Sequence, residues 1–427
     1  MSRKLLKDGM WVSIGQIGSA LGILIGIRAL TEFVPPQVFG GVTLLLGCTA
    51  LALGTIISPV TQAALIYYPQ YSNGRVSVLR SGILHILAKR VGICLLAAAV
   101  AALVAAGLFS VDVTAFILCA VLLILDGLRA VETVFLNAAR RQAGYAVISI
   151  GEAFGRPMMA IIALRFLDTN ATSVLMAYAF TSAIILCIFY CTSKPEGSDS
   201  DYTYGKPDPA IGTAINRYSL PLTPMAALGW VNGVGDRYLI GSMLGLGQAG
   251  IYSAVYGLMS RPFIMISGIV ELTLRPLYNR LVAEQKHREA AHLLAKWLLI
   301  VSLAVGAAFA FVILFDKLII KILLAEKYRS GISLMAWISG GYALLALSDV
   351  YIKVCYAYGY TGRILMVQAI GAVVSLTLAV IGIKLFGLIG AAMAVPVYFG
   401  LMLLITIMVS RLNIQKLQKW KEYAQPL

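Results

Sequence analysis

Leu293–Phe315 reads LLAKWLLIVSLAVGAAFAFVILF, and after Lys296 nineteen consecutive residues carry no charge. A helix rises about 1.5 Å per residue and the hydrocarbon core of a bilayer is about 30 Å thick, so this run is long enough to cross one. Outward from it, comparable apolar runs lie at 9–30, 39–68, 91–109, 113–138, 143–166, 171–192, 211–241, 247–274, 331–357, 363–385 and 387–410. With Leu293–Phe315 they make about twelve. The expected fold is an all-α polytopic membrane protein of two pseudo-symmetric six-helix bundles around a central cavity.

Composition agrees. Of 427 residues 60% are hydrophobic and 12% charged, with a mean hydropathy of +0.87. A soluble domain carries about twice that charge, and disordered, collagenous and disulfide-built chains fail on the same figures. The six cysteines fall in apolar runs without a CxxC or Cys/His spacing, and His85, His287 and His292 form no cluster, so no metal and no cofactor is expected. The basic start, Met1–Lys7, followed by a long apolar run, reads as an uncleaved first helix.

Thr192–Pro209 (TSKPEGSDSDYTYGKPDP) is the longest stretch of turn-forming and charged residues, with six runs on either side. The expected organisation is an N-terminal half at 1–192, a cytoplasmic linker at 193–210, a C-terminal half at 211–410 and a basic tail at 411–427. The net charge of +15 would suggest nucleic acid in a soluble protein. Here most of the basic residues cluster on one side of the expected topology: Arg3, Lys4 and Lys7, then Arg75 to Arg90, Arg140 and Arg141, Lys194 and Lys206, Arg275 to Lys296, and Arg411 to Lys421. The positive-inside bias makes that side, and both termini, cytoplasmic. One segment disagrees: Asp316–Ser330 puts Lys317, Lys321, Lys327 and Arg329 on the other side.

The halves share local features. Gln37–Thr43 (QVFGGVT) and Gln248–Ser253 (QAGIYS) each open a long helix with a proline inside it, Pro59 or Pro262. Glycines four apart at Gly18, Gly22 and Gly26, and at Gly229 and Gly233, suit close helix approach in lipid. A duplicated six-helix unit is expected, as in transporters with a site between two halves.

Val234–Tyr256 (VGDRYLIGSMLGLGQAGIYSAVY) holds an Asp-Arg pair, an apolar stretch ending in Leu-Gly, and Gly-Ile-Tyr. It resembles the seventh-to-eighth-helix signature of Wzx-type polysaccharide flippases of the multidrug/oligosaccharidyl-lipid/polysaccharide exporter superfamily. Ile27–Leu30 with Gln37–Gly41 is the first-half counterpart, and Ala357–Arg363 the turn between the tenth and eleventh helices. Arg261 departs from the pattern, in which this helix is usually apolar. The resemblance implies a transporter, not an enzyme. It would move undecaprenyl-diphosphate-linked oligosaccharide across the bacterial inner membrane by alternating access, for O-antigen, capsule or exopolysaccharide export. Its partners would be that lipid-linked substrate and membrane lipids, with no nucleic acid; a monomer is the default, with polysaccharide polymerase machinery as a possible associate.

Charges inside spans are costly and therefore informative. Asp126, Arg129 and Glu132, three apart, are expected as a ladder on one helix face, and Glu152–Arg156 and Asp349–Lys353, four apart, as pairs. Mutual neutralisation is one reading. The other is a cationic cavity for the diphosphate, because arginine offers paired, permanently charged donors. Arg28 and Arg261 have no acid within reach on their expected spans, and Arg237 points about 100° away from Asp236, so these three lead, with Arg129 and Arg156 as helpers. Snorkelling to the interface is the alternative, above all for Arg28. Without a GxxxxGK[ST] loop the chain has no ATPase site of its own; H+ or Na+ coupling would fall to Glu152, Glu271, Asp126 or Asp349, with Glu271 having Arg275 as its nearest base. Pro221, Pro224, Pro262 and Pro396 are candidate bends. Tyr67, Tyr68, Tyr358 and Tyr360 suit interfacial anchors. A cation-coupled drug antiporter of the same superfamily would favour cavity acids. A membrane polysaccharide polymerase would need a larger outer loop than these spans leave.

Overall fold

The computed structural model describes residues 3–71, 76–106, 112–192, 209–358 and 360–423. All of its regular structure is helical. The elements are α1 (Arg3–Phe33), α2 (Pro36–Tyr71), α3 (Val76–Ala106), α4 (Val113–Ala138), α5 (Gln142–Ala163), α6 (Ala171–Thr192) and α7 (Pro209–Ser219). They continue with α8 (Leu222–Leu244), α9 (Leu246–Ala283), α10 (His287–Leu314), α11 (Asp316–Leu323) and α12 (Ile332–Ala357). The remaining stretch, Thr361–Tyr423, is two helices, α13 (361–386) and α14 (388–423), joined at Gly387, whose φ of 62° few other residues adopt. The two helices cross almost in contact: a Cβ at Gly390 would stand 1.9 Å from the Gly382 carbonyl oxygen.

Leaving out the short α7 and α11, the described residues contain twelve long helices. Ten segments are long and apolar enough to cross a membrane, α13 and α14 counting as one. The exception is α8, whose mean hydropathy is lowered by Asn232, Asp236 and Arg237. The chain is a multi-pass membrane protein. The expected span 211–241 is corrected: it breaks between α7 and α8, because Pro221 has no N–H and crowds the preceding turn. The linker expected at 193–210 lies outside the described residues apart from Pro209 and Ala210, as do the side chains of the tail from Arg411.

The chain divides into two compact units, 1–230 and 231–427. In the first, α1 packs on α5 through its glycines. A Cβ at Gly18 would stand 2.7 Å from Ile150 Cδ1, and one at Gly22 2.8 Å from Ala153 Cβ. Gly229 and Gly233 do not follow suit, having no atom of the described residues within 4 Å of an added Cβ. The core beneath α2 to α4 is apolar, with Ile57, Val60, Leu79, Ile83, Leu123 and Ile215 buried. Helix α2 widens to a π-turn at Leu53–Ile57, just before Pro59. Pro59 cannot donate to the Thr55 carbonyl, and the Thr223 hydroxyl donates to it instead at 3.2 Å. Trp230 Nε1 donates to Gly47 O at 2.8 Å, so the first turns of α8 are bonded to α2.

In the second unit, Gly245 (φ 90°) lets α8 turn directly into α9. At the far end of α9 the chain turns through Gln285 (φ 59°). Hydrogen bonds from Lys286 and Arg280 hold the Glu284 carboxyl there down to about 2.

Candidate functional site

Each unit holds groups of buried polar side chains. In the first unit α4, α5 and α6 each contribute to a membrane-embedded network. Arg156 pairs with Asp126 and, at 2.7 Å, with Glu152, and donates to Ser182 Oγ at 2.9 Å. Arg129 reaches Glu152 at 2.5 Å and Asp126 at 3.7 Å. The Arg156 guanidinium also lies 5.6 Å from the Tyr178 ring centroid. Two acids and two arginines cancel formally. All four are mostly buried, the arginines 24% and 18% exposed. Unpaired charges there would be prohibitive, and the ion pairs remove most of that cost, although Nε of Arg129 and of Arg156 finds no hydrogen-bond partner among the described residues.

The expected ladder is corrected. Asp126 and Arg129 do share it, but Glu132 pairs with Arg80 of α3 and accepts from Tyr190 OH at 2.8 Å. Sequence reading missed this triad because α3 begins at Val76, well before the expected span at 91, which brings Arg80 inside a helix. Arg90 was missed for the same reason: it donates to Asn216 Oδ1 and Ser219 Oγ at 2.6 and 2.8 Å, tying α3 to α7. Arg28, expected without an acid in reach, does have one. Helix α1 runs on to Phe33, so Glu32 sits one turn beyond Arg28 and pairs with it.

In the second unit Asp236 and Arg237, adjacent on α8, behave differently. The Asp236 carboxylate accepts from Tyr252 OH at 2.6 Å and from the Arg237 backbone N–H at 2.8 Å. No ion pair joins the two side chains among the described residues. The Arg237 guanidinium instead lies over Tyr256, 4.4 Å from the ring centroid, and its Nε has no hydrogen-bond partner among the described residues. Tyr342 of α12 donates to Tyr256 OH at 3.0 Å and packs edge-on against Phe399. The signature thus brings its Asp-Arg pair onto tyrosines at positions 252 and 256, one turn apart on α9. Arg261, one turn further along, is exposed, makes no ion pair among the described residues, and lies within electrostatic reach of Tyr342, as does Arg237.

A second polar group in this unit corrects the Asp349–Lys353 pairing. Lys353 reaches Glu271 at 3.0 Å, and Arg275 reaches the same carboxylate at 2.8 Å, so Glu271 has two bases where sequence offered one. Asp349 makes no ion pair among the described residues. Of the nine site candidates, the structure joins Asp126, Arg129, Glu152 and Arg156, sets Arg237 and Arg261 within electrostatic reach of Tyr342, places Glu271 and Asp349 within electrostatic reach of each other and of Lys353, and leaves Arg28 with Glu32 apart from the rest. His, Cys, Asp and Glu side chains form no metal-ligand group among the described residues.

A protein-family profile described as "Polysaccharide biosynthesis protein" matches residues 87–333, more than half of the chain. The chain belongs to this family. Among curated proteins none matches it significantly by sequence. Solved structures share its fold at low identity. A multidrug resistance MATE family transporter of the MOP superfamily, inward-facing, is 16% identical with a TM-score of 0.69, covering 98% of this chain and 96% of that one. The lipid II flippase MurJ, inward closed, is 12% identical with a TM-score of 0.70, covering 94% and 87%. A MOP superfamily transporter from Pyrococcus furiosus, described as having a binding pocket of reverse polarity, is 12% identical with a TM-score of 0.62, covering 97% and 96%. The family member described here therefore has the fold of MOP superfamily transporters.

Proposed function

We propose that the chain is a flippase carrying undecaprenyl-diphosphate-linked oligosaccharide across the bacterial inner membrane by alternating access, with both termini cytoplasmic, in the export of a surface polysaccharide. Family membership supports a role in polysaccharide biosynthesis, and the fold shared with MOP superfamily transporters supports transport. The observation that carries the reading is Arg237. A cation within a membrane helix is costly unless it is neutralised or serves a ligand, and this one has an aromatic ring against it and no ion-pair partner among the described residues. A guanidinium held over a ring and not by a carboxylate has N–H donors to offer diphosphate oxygens in pairs. Arg261 adds a second positive charge. Arg129 and Arg156, bound to acids, supply structure to their own unit. If transport is coupled to H+ or Na+, Asp349 is the acid we assign to it, being the coupling candidate without an ion pair among the described residues.

The test is to delete the gene and measure lipid-linked oligosaccharide on the cytoplasmic leaflet. Accumulation, reversed by the wild-type gene and not by R237A, is expected. Normal export in a deletion strain lacking a paralogue would overturn the function. Full complementation by both R237A and R261A would overturn the site alone.

A further inference from the structure

Asp316–Ser330 carries positive charge on the side of the membrane where the charge bias disfavours it, and the transport reading leaves it unexplained. The uncharged stretch Trp297–Phe315 of α10 is about 28 Å long, close to the thickness of the hydrocarbon core. Its end at Phe315 therefore lies at the interface opposite the α9–α10 turn. There the helix breaks, and eight residues of α11 follow, about 12 Å in length and too short to cross. A 3-10 turn at Glu326–Gly331 leads into α12, which re-enters the membrane. Ile320, Leu324 and Tyr328 are buried and pin this connection to the protein.

The rest of α11 is divided by side. At about 100° per residue, Lys317 and Lys321 share one exposed sector, and Leu318 and Ile322 share the sector next to it. Leu318 is 52% and Ile322 57% exposed, and Leu314 and Phe315 extend the apolar strip back onto α10. Lys317, Lys321 and Lys327 are exposed and make no ion pair among the described residues. A helix with an apolar sector bordering a basic one lies in the plane of the membrane interface, its apolar side among acyl chains and its cations level with the phosphates.

We infer that α11 is an interfacial anchor whose Lys317 and Lys321, with Lys327, bind the headgroups of anionic phospholipids in the leaflet opposite the α9–α10 turn. Phosphatidylglycerol supplies the complementary charge, and its acyl chains cover Leu318 and Ile322. The inference does not depend on the transported substrate.

Native mass spectrometry of the full chain, titrated with phosphatidylglycerol or phosphatidylcholine, tests it. Tighter binding of phosphatidylglycerol is expected. K317Q/K321Q/K327Q should weaken it about fivefold per lysine and leave phosphatidylcholine unchanged. These lysines are exposed, and an unaltered melting temperature of the variant confirms its fold. Equal phosphatidylglycerol affinity in wild type and variant would overturn the inference, as would displacement by millimolar inorganic phosphate, the mark of a soluble-anion site. In mixed vesicles a benzophenone side chain in place of Leu318 should attach to acyl chains; absence of a lipid adduct would also overturn it.

Discussion

The hydroxyl of Thr223 donates at 3.2 Å to the carbonyl of Thr55, the acceptor that Pro59 leaves without a helical partner. A proline bend in lipid persists where another group satisfies the freed carbonyl, and here that group comes from the first turn of α8. T223A should destabilise the protein by about 0.6 kcal/mol, the average of interhelical hydrogen bonds in membranes. On a P59A background, where an alanine N–H could restore the helical bond, the same change should cost less. Equal losses on the two backgrounds, measured by unfolding in detergent, would break the link between the proline and the threonine.

Tyr256 holds Arg237 through its ring, so the ring should matter more than the hydroxyl. Y256F should keep transport close to wild type, and Y256L should fall about tenfold, in line with a lost cation–π contact of about 1–2 kcal/mol. Flux of lipid-linked oligosaccharide into vesicles, with both variants compared at equal expression, decides between a ring and a hydroxyl role.

The glycines of α1 and α8 should respond in opposite directions. G22A pushes a methyl to 2.8 Å from Ala153 Cβ and the Phe154 ring and should cost about 1–3 kcal/mol of stability. G233A meets nothing within 4 Å and should gain up to about 1 kcal/mol from helix propensity. Melting temperatures of the two purified variants test this directly.

In the α4–α5–α6 network, D126N deprives Arg156 of one of its two carboxylates and should cost about 3 kcal/mol, as breaking a buried pair does. Removing both partners in D126N/R156Q should cost less than the sum of the two single changes. Additivity of the unfolding free energies would show that the two groups act independently.

The long apolar runs made the helix count legible, and Leu293–Phe315 falls within two residues of the far end of α10. What escaped the sequence were helix ends and three-dimensional partners. Periodicity marks where a helix is apolar and says little about the polar turns that prolong it. Glu32 and Arg80 both lie in such turns, so Arg28 looked unpaired and the Arg80–Glu132–Tyr190 triad was invisible. Spacing of four residues makes an ion pair geometrically possible, but a better-placed partner on a neighbouring helix can win, as Glu271 does for Lys353. The glycine pattern was read correctly in α1 and misread in α8, because spacing records what a helix permits and not what stands opposite. The Asp236–Arg237 pair was visible in the signature, and so were Tyr252 and Tyr256, but only the fold shows that Asp236 accepts from Tyr252 and that Arg237 lies over Tyr256.

The four charges shared by α4 and α5 also bear on how the chain is made. Each costs about 2.5–3.5 kcal/mol when carried alone to the bilayer centre, and the two helices are joined by a turn of only a few residues around Arg140. Entering lipid one after the other, each helix would have only its own pair, Asp126 with Arg129 at 3.7 Å or Glu152 with Arg156 at 2.7 Å; entering as a hairpin, the two pairs also meet each other on the way in. The network thus predisposes these two helices to leave the translocon together, and α4 placed alone in an insertion assay should enter the membrane less efficiently than α4 followed by α5.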